Sequence, residues 1–508
     1  VKATGPRGPA GRPSATPIGR GVVRLGVVLL VAFAVLAATA GYWQVVRSAD
    51  LVGRPDDPLL IAAARNVVRG EIRDRDGHLL ATSKRDANGE PYRVYTSKAV
   101  APLIGYASLL YGTAGLERAY DAELTGITSP DPVDELLAKF SSDRYRPQDL
   151  TLSLSLELQK EAVRLLGNDR GSVVMLDPRS GEVLAMASTP TYDASAIANP
   201  DTDTAKAAFA TVSRDPDKPL LDRAVQGRYV PGSVFKIVTS IAALGSGAIT
   251  PDTTFARQPA AEKNGLLVSG FRVRDGHHAF TGGRALAYPE AVEVSCNIYF
   301  ALAGLATGGE ALASWAERVG FGDSIPFDLP TAASQVSNGG GSFGGGFSDD
   351  VELANAAYGQ GETLVTPLQM ALVAATIADR GTLMRPHLVT RLSGRDGDMT
   401  IPPQVWREVV SPDVAGVISA AMVRAVEGDE GGRFTAGARV PGVVTAGKSG
   451  TAQLDGSAKP HSWFIGFAPA DAPRVAIAVL VESGGSGSTR ASPIAGRLMA
   501  KYFDVFGK

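Results

Sequence analysis

Leu25 to Val46 form 22 consecutive residues without a formal charge. As a helix rising 1.5 Å per residue, this run is long enough for a hydrocarbon core of about 30 Å. It is apolar all round and follows a Pro/Gly-rich stretch, Gly5 to Pro17, so a buried helix of a soluble domain fits poorly. A transmembrane helix is predicted over residues 25–46. Lys2, Arg7, Arg12, Arg20 and Arg24 precede it with no acidic residue between them. Positive charge stays inside, so residues 1–24 read as a cytoplasmic tail and the rest as exported. Tyr42 and Trp43 lie near the outer end, where amphipathic rings favour the interface. A cleaved signal peptide is the rival reading, because Ala38-Thr39-Ala40 has small-x-small character. The continuation of the apolar run to Val46 favours an uncleaved anchor.

This topology explains the charge. The net −2 divides into +5 on residues 1–24 and −7 on residues 25–508. A nucleic-acid binder would spread basic residues over its folded part, so that class is excluded. The chain has one cysteine, Cys296, and five histidines. An internal disulfide and a cysteine-rich zinc site are therefore excluded, and little material remains for a histidine metal site. The 508 residues suggest about three domains as a prior.

Residues 47–150 read as a small mixed domain. Asp74-Arg75-Asp76-Gly77 is a turn between two strand-like segments, and Asp131-Pro132-Val133-Asp134 a short helix start. Ser155 is placed to cap an amphipathic helix that begins at Leu156. Ser172–Leu176 and Glu182–Ala187 read as a β-hairpin closed by Asp177-Pro178-Arg179-Ser180-Gly181. Val234 to Leu244 and Pro367 to Ile377 are apolar enough to be largely buried helices. Residues 338–347 are glycine-rich and match no phosphate-binding pattern, so a mobile loop is expected. Three strand-like runs, Gly442–Thr451, Ser462–Phe467 and Val475–Glu482, precede a last helix from Ser492-Pro493 to about Phe506. The sum is an α+β arrangement.

Three short motifs occur in order. Ser233-Val234-Phe235-Lys236 is S-x-x-K, Ser295-Cys296-Asn297 is S-x-N, and Lys448-Ser449-Gly450 is K-[ST]-G. Together they are the set used by serine enzymes that acylate on penicillin. Ser233 follows Pro231-Gly232 and so sits at a helix start, with Lys236 on the same face. A lysine acts as base only when burial or a second cation lowers its pKa, and Lys448 is a candidate for that cation. Glycine in a strand, as at Gly450, marks close approach by a ligand. Singly, the first two motifs have ordinary readings, a capping serine with a surface lysine and a loop hydroxyl and amide bonding the local backbone, and Cys296 reads as a small buried filler.

The longer context decides. Residues 219–236, Pro-Leu-Leu-Asp-Arg-Ala-Val-Gln-Gly-Arg-Tyr-Val-Pro-Gly-Ser-Val-Phe-Lys, resemble the nucleophile region of class B penicillin-binding proteins. So do Gly359-Gln360-Gly361-Glu362 with Thr366 to Ala371, the stretch Arg69 to Gly77, and Gly112 to Glu117 with Tyr120, Leu124 and Gly126. The short N-terminal domain resembles the smaller actinobacterial-type branch. Asp222 stands where that family usually has Asn, Val234 where it has Thr, and Ser155 where it has Asp.

The resemblance implies an N-terminal transmembrane helix, a small mixed pedestal (47–150) and a transpeptidase domain (151–508), an antiparallel sheet flanked by helices with an all-helical part. It implies a D,D-transpeptidase that cross-links peptidoglycan stem peptides, with β-lactams as covalent inhibitors. Ser233 is then the nucleophile and Lys236 its base. Ser295 and Lys448 help move protons, Asn297 holds the acyl amide, and Ser449, Gly450 and Thr451 form the carboxylate-binding strand. No metal or organic cofactor is expected. Expected partners are the cytoplasmic membrane, a separate glycosyltransferase, and division or elongation proteins. The alternatives are a D,D-carboxypeptidase, a β-lactamase and a non-catalytic penicillin-binding receptor or scaffold. Residues 47–150 are too few for a second enzyme domain.

Overall fold

The computed structural model describes residues 17–41, 67–127, 146–275, 278–340, 344–395, 397–454, 456 and 458–507. Helix α1 spans Pro17–Gly41. Its side chains are described at residues 22, 24–36 and 39, and its apolar ones, Leu25 to Leu36, are exposed. Among the described residues, no helix is long and apolar enough to cross a membrane. Residues 42–46 of the predicted span lie outside the described residues, as does the helix start expected at 131–134. α1 belongs to a compact unit separate from the one that holds the rest of the described chain.

The second unit opens with a hairpin. β1 (Ile72–Arg73) pairs with β2 (Leu79–Arg85), and β2 with β3 (Pro91–Tyr95), all antiparallel. β1 also pairs in parallel with β4 (Asp149–Leu152). Strand Val389–Gly394, from much later in the chain, pairs with β4 and with Gly397–Thr400, completing six strands. This sheet is therefore built from both sides of residue 150.

The turn at Asp74 does more than close a hairpin. Its carboxylate accepts from the backbone N–H groups of Asp76 (3.0 Å) and His78 (2.7 Å). It also accepts from Leu156 N (3.1 Å), the first residue of α2 (Leu156–Leu166). The cap expected from Ser155 is thus supplied across the fold. Ser155 Oγ is buried without a hydrogen-bond partner. A buried carboxylate suits the partial positive charge of a helix start better than a hydroxyl.

The second sheet has five antiparallel strands. They are β5 (Gly171–Leu176), β6 (Val183–Thr189), β7 (Ala446–Ala452), β8 (His461–Ala468) and β9 (Val475–Val481), in the order β7-β8-β9-β5-β6. β5, β6 and β9 are buried at every position, so they lack polar alternation. Alternate residues serve two cores: Val174 and Leu176 join one apolar cluster, Val173 and Met175 the other. Several helices lie in the second unit: α3 (Lys236–Gly245), α4 (Asn297–Thr307), α5 (Pro367–Ala378), α6 (Pro412–Glu427) and α7 (Ala491–Phe506). α5 packs on one face of the sheet, and α2 and α7 on the other. α5 is wholly buried and starts at Pro367, with Thr366 Oγ1 accepting from Gln369 N (3.1 Å). α3 packs on α4 and α6 in the helical part.

Two local expectations change. The strand expected from Gly442 begins at Ala446. The end of the glycine-rich stretch is packed, while residues 338–340 are exposed: a Cβ at Gly345 would lie 2.2 Å from Gly309 O, and Phe347 is fully buried. Phe347 is the apolar anchor that a reading based on glycine count overlooks.

Candidate active site

Ser233 lies in a 3₁₀ turn, Gly232–Phe235, that runs directly into α3 at Lys236. The expected α-helical start is therefore a tighter turn, in which residues i and i+3 eclipse. That stacks half-buried Ser233 over fully buried Lys236.

Three glycines let backbone close around this turn. Gly232 has φ 58°, and a Cβ there would meet Thr451 O at 2.8 Å. A Cβ on Gly450 would meet Pro231 O at 3.0 Å, and one on Gly359 would meet Gly232 O at 1.9 Å. Gly232 N donates to Gly359 O (2.8 Å), and Trp463 Nε1 donates to Val230 O (3.0 Å). The nucleophile turn is thus wedged between the β7 strand and the Gly359 loop. β7 is an edge strand, which leaves one side free for an extended ligand.

Lys236 Nζ donates to Ser295 O (2.5 Å), Ser295 Oγ (3.1 Å) and Asn297 Oδ1 (2.7 Å). Ser295 has φ 60°, a left-handed conformation that costs a non-glycine residue about 1–3 kcal/mol. The twist lets its carbonyl and its hydroxyl both face one ammonium. Cys296 Sγ accepts from Tyr299 N (3.3 Å) and caps α4, and burial pushes its thiol pKa up. Cys296 therefore has a capping role beyond filling space.

Lys448 is buried on β7 and donates to Ser449 O (3.0 Å). Ser449 is buried beside it, while Thr451 is exposed and accepts from Gly487 N (3.2 Å) through Oγ1. Burial pushes Lys236 down to about 8, against the pull of Asp275 and Cys296. Burial also lowers Lys448 well below its usual value, and the charge of Lys236 lowers it further. The two lysines together therefore hold less than two full charges near neutral pH.

Ser233, Lys236, Ser295, Asn297, Lys448, Ser449, Gly450 and Thr451 are thus gathered by three elements: the 3₁₀ turn with α3, the start of α4, and β7. Sequence reasoning missed Asp275, whose carboxylate accepts from Ile298 N (3.3 Å). It also missed the candidate ion-binding set beside this site. Ligand atoms of Glu262, His278 and Cys296 lie within 4.8 Å of one another. Counting five scattered histidines could not reveal that one folds against the only thiol.

A buried lysine one turn after a serine, an S-x-N pair holding its ammonium, and an edge strand with Lys-Ser-Gly define a serine acyltransferase of the penicillin-recognising class. Residues 171–500 match the penicillin binding protein transpeptidase domain. Residues 69–148 match the penicillin binding protein A dimerisation domain. The chain is 35% identical over 491 residues to the peptidoglycan D,D-transpeptidase PbpA of Mycolicibacterium smegmatis, covering 93% of this chain and 96% of the relative. It also resembles the solved ceftriaxone acyl-enzyme complex of penicillin-binding protein A from M. tuberculosis. That likeness has a TM-score of 0.75 and 32% identity, over 87% of this chain and 99% of the other. A D,D-transpeptidase domain of a peptidoglycan glycosyltransferase from Eggerthella lenta gives 0.73 and 29%, over 87% and 100%. The chain belongs to the penicillin-binding protein transpeptidase family, and its similarity to the PbpA proteins runs nearly end to end.

Proposed function

We propose that this chain is a peptidoglycan D,D-transpeptidase that works through an acyl-enzyme on Ser233. One observation carries the assignment: a fully buried lysine, held by Ser295 and Asn297, has a pKa of about 8 one turn after the serine. A carboxylate at the substrate terminus, bonded by Ser449 and Thr451, keeps Lys448 charged. The charge on Lys448 then favours neutral Lys236. Ser233 Oγ attacks the carbonyl of the penultimate D-Ala while Lys236 Nζ takes its proton. The backbone N–H groups of Ser233 and Thr451 receive the developing oxyanion. Collapse breaks the peptide bond, and terminal D-Ala leaves with a proton passed through Ser295 and Lys448. Asn297 holds the acyl amide. An amine of a neighbouring stem then attacks the ester, its proton returns to Ser233 Oγ, and the cross-link is formed. β-Lactams acylate the same oxygen.

The apolar run 25–46 acts as an uncleaved anchor, with the tail 1–24 cytoplasmic and residues 47–508 outside. Residues 47–150 are the pedestal and 151–508 the transpeptidase domain. The pedestal contacts a separate glycosyltransferase and division or elongation proteins. The charge asymmetry across the run supports this orientation.

Labelling with a fluorescent penicillin is the test. Long-lived label on the wild type, absent in Ser233→Ala, together with cross-linked product from stem peptides, is the expected result. Label released within seconds would point to a hydrolase. A wild type that takes no label would remove the assignment.

A further inference from the structure

The nucleophile turn is tied to the sheet by one acidic residue that the catalytic motifs do not include. Glu482 follows the last residue of β9, and its N donates to Arg170 O (2.8 Å). Its Oε1 accepts from Arg223 Nε (2.7 Å) and from Tyr229 OH (2.9 Å). Its Oε2 lies 3.2 Å from Arg170 Nε. Arg223 and Tyr229 are both buried, and both lie in the segment that leads into Ser233. The Arg223 guanidinium also donates to the carbonyls of Lys218 (3.1 Å) and Asp217 (2.6 Å). The Tyr229 backbone exchanges two hydrogen bonds with Val365 (both 2.9 Å), and its ring stands edge-on to Trp463. Three residues, Val230 to Gly232, separate Tyr229 from Ser233, and Gly232 has no side chain to hold it.

We propose that Glu482 is a positioning residue for acylation: by gathering Arg223 and Tyr229 it fixes the register in which Ser233 meets β7. The inference rests on Ser233 being the nucleophile. A carboxylate suits the task because its two oxygens accept several charge-assisted bonds at once and draw the chain on both sides of residues 224–228 to one point of the sheet. Its effect falls on the acylation step, because its hydrogen bonds and ion pairs go to Arg170, Arg223 and Tyr229 and not to the K-[ST]-G strand proposed to receive the substrate carboxylate. A displacement of the reacting oxygen by about 1 Å is enough to cost up to about a hundredfold in rate.

The test uses the full chain in detergent and separates the non-covalent dissociation constant of a fluorescent penicillin from its acylation rate constant. Glu482→Gln keeps an acceptor oxygen and removes the charge. Tyr229→Phe removes one hydrogen bond and leaves the Arg223 pair intact, which protects against simple loss of folding. Glu482→Gln is expected to slow acylation by about tenfold to a hundredfold, with the dissociation constant unchanged within about twofold. Tyr229→Phe slows it by less. The double variant matches Glu482→Gln alone, because both act through one link. Folded variants that acylate at the wild-type rate overturn the inference. So do effects that fall equally on binding and on acylation. A wild type that fails to acylate Ser233 removes the functional assignment itself, whereas normal wild-type acylation with unchanged variants removes only the role of Glu482.

Discussion

The second unit contains two deeply buried charged clusters with opposite designs. In the pedestal, Glu117 is fully buried and takes Arg93 Nε (2.6 Å) on one oxygen and Arg69 Nε (2.9 Å) on the other. Tyr95 OH adds a third bond (3.2 Å). Burial pushes the Glu117 carboxyl up, but Arg93 and Arg69 outweigh it and hold the pKa below the usual range. In the catalytic site, Lys236 and Lys448 are equally buried, yet the ammonium of Lys236 is held by neutral oxygens and not by a carboxylate. There burial wins, and both lysines are pushed down. The same desolvation is cancelled in one place and left standing in the other. The pedestal uses charge to lock Arg69 and Glu117, from two distant stretches, into one fold. In the active site Asp275 offsets the lysine charge only in part, and that keeps an amine ready to take a proton.

Removing the counter-charge should break the comparison most severely. Glu117→Ala leaves the buried Arg93 guanidinium without a carboxylate and Arg69 with Asp121 as its remaining counter-charge, so a loss of about 3–5 kcal/mol in denaturant unfolding is expected. A loss under about 1 kcal/mol would mean that the pedestal charges are no better compensated than the lysines.

Asp222 gives an intermediate case. It is half-buried, one of its oxygens is buried without a hydrogen-bond partner, and desolvation raises its pKa to about 7. An unfolded aspartate titrates near 3.9. Between about pH 4 and 7 the folded chain holds the extra proton, so stability falls as pH rises across that window and levels off above it. Asp222→Asn should remove this slope, leaving the variant more stable than wild type by on the order of 2 kcal/mol at pH 8 and little different at pH 4. Equal unfolding midpoints at pH 8 would show that the carboxylate is solvated after all.

These clusters also mark what the sequence could reveal. S-x-x-K is legible because its two members are three residues apart, and any helical turn brings them together. The K-[ST]-G run was legible because a lysine beside glycine in an apolar strand is hard to explain by packing. The strands β5, β8 and β9 follow from long apolar runs bounded by turns. Glu117, Asp74, Asp275 and Glu482 were not legible as functional or structural nodes. Each is one acidic residue in polar surroundings, and its meaning depends on partners brought in by the tertiary fold: 82 positions away for Asp74 and Leu156, and 259 for Arg223 and Glu482. Ser155 shows the same limit from the other side. It has every local property of a cap, but a carboxylate from the β1–β2 turn reaches the helix end. The apolar run 25–46 is legible in composition, but its described part does not amount to a span.

The smallest effect expected is also the sharpest test of the lysine design. Lys236→Met keeps most of the apolar stem of the side chain and removes the ammonium. Acylation should be lost, because Lys236 is the base proposed for Ser233. Stability should move the other way. The folded pKa of about 8 lies below the ordinary lysine value of 10.5, so the unfolded chain binds more protons between those values. Wild-type stability is therefore greatest above about pH 10.5 and declines as pH falls toward 8, below which the full cost of the buried ammonium is present. Methionine carries no such cost, although it leaves Ser295 O and Asn297 Oδ1 without their donor. The two effects oppose each other, so the variant should gain about 1 kcal/mol at pH 7, and this advantage should vanish toward pH 10.5. If Lys236→Met is instead less stable than wild type at pH 7, its three hydrogen bonds outweigh its desolvation. The contrast with Glu117 then fails, because both clusters would be held together by their charges.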